Sequence, residues 1–236
     1  MTVSINKNYP CNTDNYAKIT GRPIQYIVIH YVGASGSALE NAKYFNSHSG
    51  LEASAHFFVG HASENGAIYQ SVDPKNRAWH CGTTGTYKHA YCRNANSIGI
   101  ELCCHRDSAG SWYFDDATVN AAIELTSYLM DVYSIPIGNV IRHYDVTGKN
   151  CPAPFVINQA AWNDFKNRLE ESEVANGTET GDNPSNWAKE HTEWAKGKGI
   201  FNGDGQGNYD WQGALTRESL AVVLHKFATV YGLEVK

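Results

Sequence analysis

The chain has 236 residues, 42% of them hydrophobic and 12% aromatic, enough for one ordinary globular domain and a small second one. Its formal charge of −5 lacks the basic surplus of a nucleic-acid binder. No segment approaches the roughly 20 apolar residues that span a bilayer, and residues 1–18 hold no apolar stretch of the kind a secretory signal carries.

In chain order, PIQYIVIHYV (23–32) is a short β-branched run closed by GASGS, and predicts a buried strand followed by a loop. SALENAKYFNSH (37–48) predicts a short helix. SAHFFVGH (54–61) and AIYQSV (67–72) predict two strands joined as a hairpin through ASENG. NSIGIELCC (96–104) predicts another strand. Over 115–136, Ala122, Leu125, Leu129 and Val132 mark one face of a helix whose end Pro136 limits. NVIRH predicts a short strand, and 158–171 a further helix. Strands and helices mixed around a central hairpin predict an α/β fold, a mixed β-sheet flanked by helices, over 1–170.

Residues 171–186 are acidic, contain Gly and Pro and have almost no large apolar side chain, which predicts a linker. The remainder, 187–236, predicts a small helical module. Trp187, His191, Trp194 and Lys198 share a face of its first helix. Leu220, Leu224, Phe227 and Tyr231 share a face of the second, with Thr216 as N-cap. A module of about 50 residues makes a marginal core alone, so packing against the main domain or a partner chain is expected.

RHYDVTGKNCPAPF (142–155) carries the first chemical signal. His143 stands eight residues before Cys151, in a stretch too polar and too rich in Gly and Pro for a core helix. An imidazole and a thiol on one irregular loop suggest a metal site, and a zinc that does chemistry usually has three protein ligands and an open position. His30, at the C-terminal end of its strand, is the best third ligand; the alternative is a hydrogen-bonded surface histidine. The six cysteines (Cys11, Cys81, Cys92, Cys103, Cys104, Cys151) are not spaced like a stapled scaffold and predict reduced thiols. Cys103 and Cys104 are expected to point to opposite faces of a strand end as small buried hydrophobes. HExxH, the paired motif of many zinc peptidases, does not occur in the sequence.

IVIHYVGA, SAHFFV, AWHCG, SIGIELC and RHYDVTGKNCP, in this order and spacing, resemble the zinc-dependent N-acetylmuramoyl-L-alanine amidases of type 2. That family includes phage endolysins and is related to the peptidoglycan recognition proteins. The resemblance covers about residues 20–170. It implies Zn2+ held by His30, His143 and Cys151, the last a position where other members place Asp. It also implies Glu101 as the carboxylate that takes a proton from water and returns it to the leaving amine. Lys149, two residues before Cys151, would stabilise the oxyanion. Some relatives have Tyr immediately before the histidine of the second motif; Ala55 stands here, which points to the variant relying on glutamate. His80, with Trp79 beneath it, is expected to line the substrate groove, and His56 to do likewise; both histidines could instead be core residues.

The implied reaction is hydrolysis of the amide between N-acetylmuramic acid and L-alanine in peptidoglycan. The groove would take glycan on one side and stem peptide on the other, with the tyrosine-rich stretch from Tyr87 to Tyr91 as an aromatic wall. A non-catalytic peptidoglycan-binding recognition protein is the alternative; some such proteins lack the ligand cysteine, which is present here as Cys151. Residues 184–232 resemble a single S-layer-homology-like repeat. This implies binding to a cell-wall polymer, with Tyr209 and Trp211 as sugar-stacking residues and avidity if the protein forms a homo-oligomer. Calcium is not expected in NGDGQGNYD: counted from Asp204, the sixth position is Tyr209 and the twelfth Leu215. The partners expected are therefore peptidoglycan and a wall polymer, with no nucleic acid and no membrane. A chain without a signal fits an endolysin made in the host cytoplasm that then reaches the wall.

Overall fold

The computed structural model describes residues 3–19, 21–177, 184, 188–205, 207–211, 213 and 216–233. It divides into two compact units, Met1–Glu170 and Glu171–Lys236.

The first unit is built on a six-stranded sheet of β1 (Ile5–Asn6), β3 (Tyr26–Tyr31), β4 (Phe57–Val59), β5 (Ile68–Gln70), β7 (Ser97–Leu102) and β10 (Val140–Arg142). Their order is β1-β5-β4-β7-β3-β10. Only β4 and β5 run antiparallel, as the predicted hairpin; the other pairs are parallel. Two small ribbons complete it, β2 (Tyr16–Ala17) with β6 (Arg77–Ala78) and β8 (His105–Arg106) with β9 (Trp112–Tyr113). This is the mixed sheet flanked by helices that the element order predicts.

Parallel register pairs Tyr26 with Ser97, Val28 with Gly99 and His30 with Glu101. Alternation then sends Ile27, Ile29, Ile98, Ile100 and Leu102 to the opposite face, where they are fully buried. There they meet Ala122, Leu125 and Leu129 of helix α2 (Asp116–Tyr133) and Phe165 and Leu169 of helix α5 (Gln159–Gly177). Each buried Ile, Leu or Phe among them contributes about 1.5–3 kcal/mol. The other face takes helix α1 (Ala38–Ser47), whose Ala38 and Ala42 pack on Phe58. One face of β3 and β7 thus makes the core, and the other is free to carry chemistry.

Local signals set the helix ends. Ser37 caps α1 with a full capping box to Glu40. Asp115 caps α2, which ends at Ser134 in the left-handed region with φ 52°, two residues before Pro136. Helix α5 runs through Gly177, into residues expected to be linker; Glu and Ala read as acidic linker composition but are also good helix formers. RHYDVTGKNCPAPF, expected as an irregular loop, instead contains two short helices, α3 (His143–Thr147) and α4 (Ala153–Ile157).

The second unit contains helices α6 (Lys189–Gly197) and α7 (Arg217–Val230), with the Thr216 side chain accepting from the Ser219 N–H. Ala195 and Ile200 are buried, while Leu220, Leu224, Phe227 and Tyr231 on the predicted α7 face are exposed. Trp187, expected on the α6 face, lies outside the described residues.

Candidate active site

His30 closes the chemical face of β3, and its register partner Glu101 lies on the neighbouring interior strand β7. Both side chains are therefore held by strands paired on either side. His143 enters from β10, as the first residue of α3. Arg142, buried just before it, fixes that junction: its guanidinium donates to Asp145, to the Phe155 carbonyl and to Gln159 at 2.9–3.0 Å. Cys151 returns to the same place because its carbonyl accepts from the Tyr144 N–H at 2.8 Å. The chain between them turns at Gly148 with φ 85°, where a Cβ would meet Lys88 Cε at 2.6 Å. The positive φ is what favours glycine there, since the end of the Lys88 side chain can move aside.

These elements bring His30, His143 and Cys151 together. One ligand atom from each lies within 4.8 Å of the others, and all three residues are buried. Cys151 Sγ is 3.6 Å from His30 Nδ1, and Glu101 Oε1 is 4.0 Å from the same nitrogen. Neither ring nitrogen of His143, nor Glu101 Oε2, finds a hydrogen-bond partner among the described residues, although all three atoms are buried. An unsatisfied buried polar atom costs about 1–3 kcal/mol, so several in one place call for an occupant. Two imidazoles and a thiol are the donor set that suits zinc.

Burial dominates the electrostatics. It lowers the His30 pKa well below its usual value, with His143, His80 and Lys149 adding to the effect. His143 falls to about 4, through burial first and Lys149 second. Both imidazoles are thus neutral, the form that binds metal. Burial pushes the Glu101 carboxyl up to about 8 against the pull of Lys149, and the Cys151 thiol up to about 12. Lys149 itself is exposed, yet its charge reaches every member of the group.

The remaining predicted residues fall differently. His80 is only 9% exposed, and both its ring nitrogens are engaged inside the protein, Nδ1 with His30 Nε2 at 3.0 Å and Nε2 with Ser97 Oγ at 3.2 Å. It presents no free ring nitrogen to a groove, because His30 sits across it. His56 is fully buried and is a core histidine: its Nδ1 accepts from the Gly99 N–H at 2.9 Å. Trp79 is half-buried, its backbone paired with Ser54. Ala55 is buried. All six cysteines are free. Ser97, the partner of His80, escapes sequence reasoning, since nothing in NANS announces a chemical role.

The family described as N-acetylmuramoyl-L-alanine amidase matches residues 20–154, more than half of the chain. The chain belongs to this family. It is 33% identical over 178 residues to N-acetylmuramoyl-L-alanine amidase BlyA of Bacillus subtilis (strain 168), covering 72% of this chain and 47% of BlyA. It is 32% identical over 158 residues to CwlL of Bacillus licheniformis, covering 62% of this chain and 41% of CwlL. The chain thus spans about half the length of these curated relatives. The solution structure of the PlyG catalytic domain superposes with a TM-score of 0.57 at 25% identity, over 72% of this chain and 94% of that domain. All five motifs that carry the resemblance begin within the matched segment.

Proposed function

We propose that the protein is a zinc-dependent N-acetylmuramoyl-L-alanine amidase that hydrolyses the amide between N-acetylmuramic acid and L-alanine of peptidoglycan. The observation that carries this reading is the convergence of His30, His143 and Cys151 beside Glu101, in a chain of the amidase family. These three residues would hold the ion, and zinc there would supply Lewis acidity to the scissile carbonyl and acidify water.

Glu101 accepts the proton of the attacking water and returns it to the departing amine of L-alanine. Its carboxylate, with a pKa raised to about 8 by burial, takes up a proton more readily than an ordinary carboxylate does. Lys149, an exposed cation whose charge acts on His30, Glu101, His143 and Cys151, stabilises the oxygen that gains negative charge. Trp79 lines the groove that takes glycan and stem peptide. The second unit binds a wall polymer as an S-layer-homology-like module, and self-association would raise that weak binding by avidity. Within it Tyr209 and Trp211 stack on one another at 5.0 Å, so a sugar would meet a packed aromatic pair rather than a lone ring. An endolysin made in the host cytoplasm and acting on the wall fits this assembly.

Digestion of purified peptidoglycan with and without a chelator tests the reading. New N-terminal alanine without new reducing sugar, abolished by chelation, is the expected result. Reducing ends would mean a glycosidase, and wall binding without cleavage a recognition protein. His143→Ala is expected to lose zinc and lysis together; full lysis by metal-free His143→Ala protein would end the proposal.

A further inference from the structure

His80 is tied to the candidate metal ligands through a chain of hydrogen bonds whose direction can be worked out from one end. Ser97 Oγ donates to the Arg93 carbonyl at 2.7 Å, and a carbonyl can only accept. A hydroxyl has one proton, so toward His80 Nε2, 3.2 Å away, the same oxygen must accept. Its contact with Cys81 Sγ is far longer, 3.8 Å, and does not compete with the carbonyl for that proton. His80 therefore carries its proton on Nε2 and presents a lone pair at Nδ1. That lone pair faces His30 Nε2 at 3.0 Å, which must then be the N–H. His30 Nδ1 is left unprotonated, and it is the nitrogen that faces Cys151 Sγ and Glu101.

From this the geometry points to His80 as a positioning residue: relayed through Ser97, the Arg93 carbonyl fixes the tautomer and ring plane of His30 before any ion arrives. The purpose rests on the zinc reading above; the proton order does not. Three features hold the relay in place. The Asn94 side-chain oxygen accepts from the His80 and Cys81 N–H groups at 3.0 and 2.8 Å. The His30 and His80 rings meet edge to face, 5.1 Å apart at 89°. Gly99, opposite Val28 on the same face of β7, lets the imidazole lie against the strand, since a Cβ there would come within 2.5 Å of His80 Cγ. The glycine in SIGIEL is the one sequence mark of this arrangement, a strand position where something approaches closely.

Outer partners of metal-bound histidines typically contribute about 10–100-fold in affinity. Two measurements test the assignment. In the chelator-stripped full chain, nitrogen chemical shifts of the imidazole rings should report the Nε2–H tautomer for both His30 and His80. A His30 ring protonated on Nδ1 would overturn the proposal. Zinc affinity is then compared by chelator competition in the unaltered protein, His80→Ala and His80→Asn. The Asn side-chain oxygen can stand where Nδ1 stood and accept from His30. His80→Ala should weaken binding by about 10–100-fold, with His80→Asn recovering most of it. Equal losses in the two variants would mean a packing role only, and no loss in His80→Ala would remove the role altogether; either refutes the inference. An unaltered protein that binds no zinc would instead refute the metal reading, so the two failures are distinguishable.

Discussion

Glu101 and Cys151 both sit in the metal-candidate group with pKa values raised by burial, but their expected replacements behave differently. Glu101→Gln keeps shape and hydrogen bonding and removes the proton acceptor. It should leave zinc bound while lowering kcat by about 10²–10⁴-fold; loss of zinc along with activity would make Glu101 a support of the metal rather than the proton carrier. Cys151→Asp exchanges the sulfur for a carboxylate, which zinc also accepts as a ligand. With cobalt substituted for zinc, the variant should still take up metal but lose the sulfur-to-metal absorption of the unaltered protein, and an unchanged spectrum would exclude Cys151 as a ligand. His30, His143, Cys151 and Glu101 were legible because motif order and spacing specify them. His80 was not, since AWHCG says nothing of what lies across the ring. Groove and interior look alike in sequence, and the packing of Gly99 decides between them.

The helices divide in the same way. Helix α2 was readable from its apolar face and from Pro136 beyond its end, because a long amphipathic segment announces itself locally. Short α3 and α4 were not: five residues cannot nucleate a helix alone, and here Arg142 bonded to Asp145, Phe155 and Gln159 imposes the form. Asp115 does more than cap. Burial would raise its carboxyl pKa, but the N–H groups of Ala62 and Thr118 and the His105 ring outweigh it and hold it at about 2. A lowered folded pKa adds stability that is present above the ordinary carboxylate range and is lost as pH falls from about 4 toward 2. Asp115→Ala should cost about 0.5–2 kcal/mol near neutral pH, and thermal unfolding followed down to pH 2 should show the gap from the unaltered protein closing. A gap independent of pH would deny the ionised cap its part.

At the scale of the molecule, the candidate metal ligands all lie in the first of two compact units, and wall attachment is proposed for the second. A chain ending at Gly177 keeps the whole sheet, α1 to α5 and every candidate site residue. It should unfold cooperatively and cleave a small soluble muropeptide at the rate of the full chain, while its retention on intact wall sacculi falls. Equal retention would place wall attachment in the first unit. The exposed Leu220, Leu224, Phe227 and Tyr231 of α7 answer the periodicity that was legible, but a face pattern cannot name what it meets.

The strands that present His30 and Glu101 each have a neighbour on both sides, and that has a bearing on the life of the uncharged protein. Their backbone amides are committed to the sheet whether or not an ion is nearby. Those of β3 and β7 should resist solvent deuterium as long in the stripped chain as in the charged one, so that a freshly synthesised copy can wait, folded, for its cation.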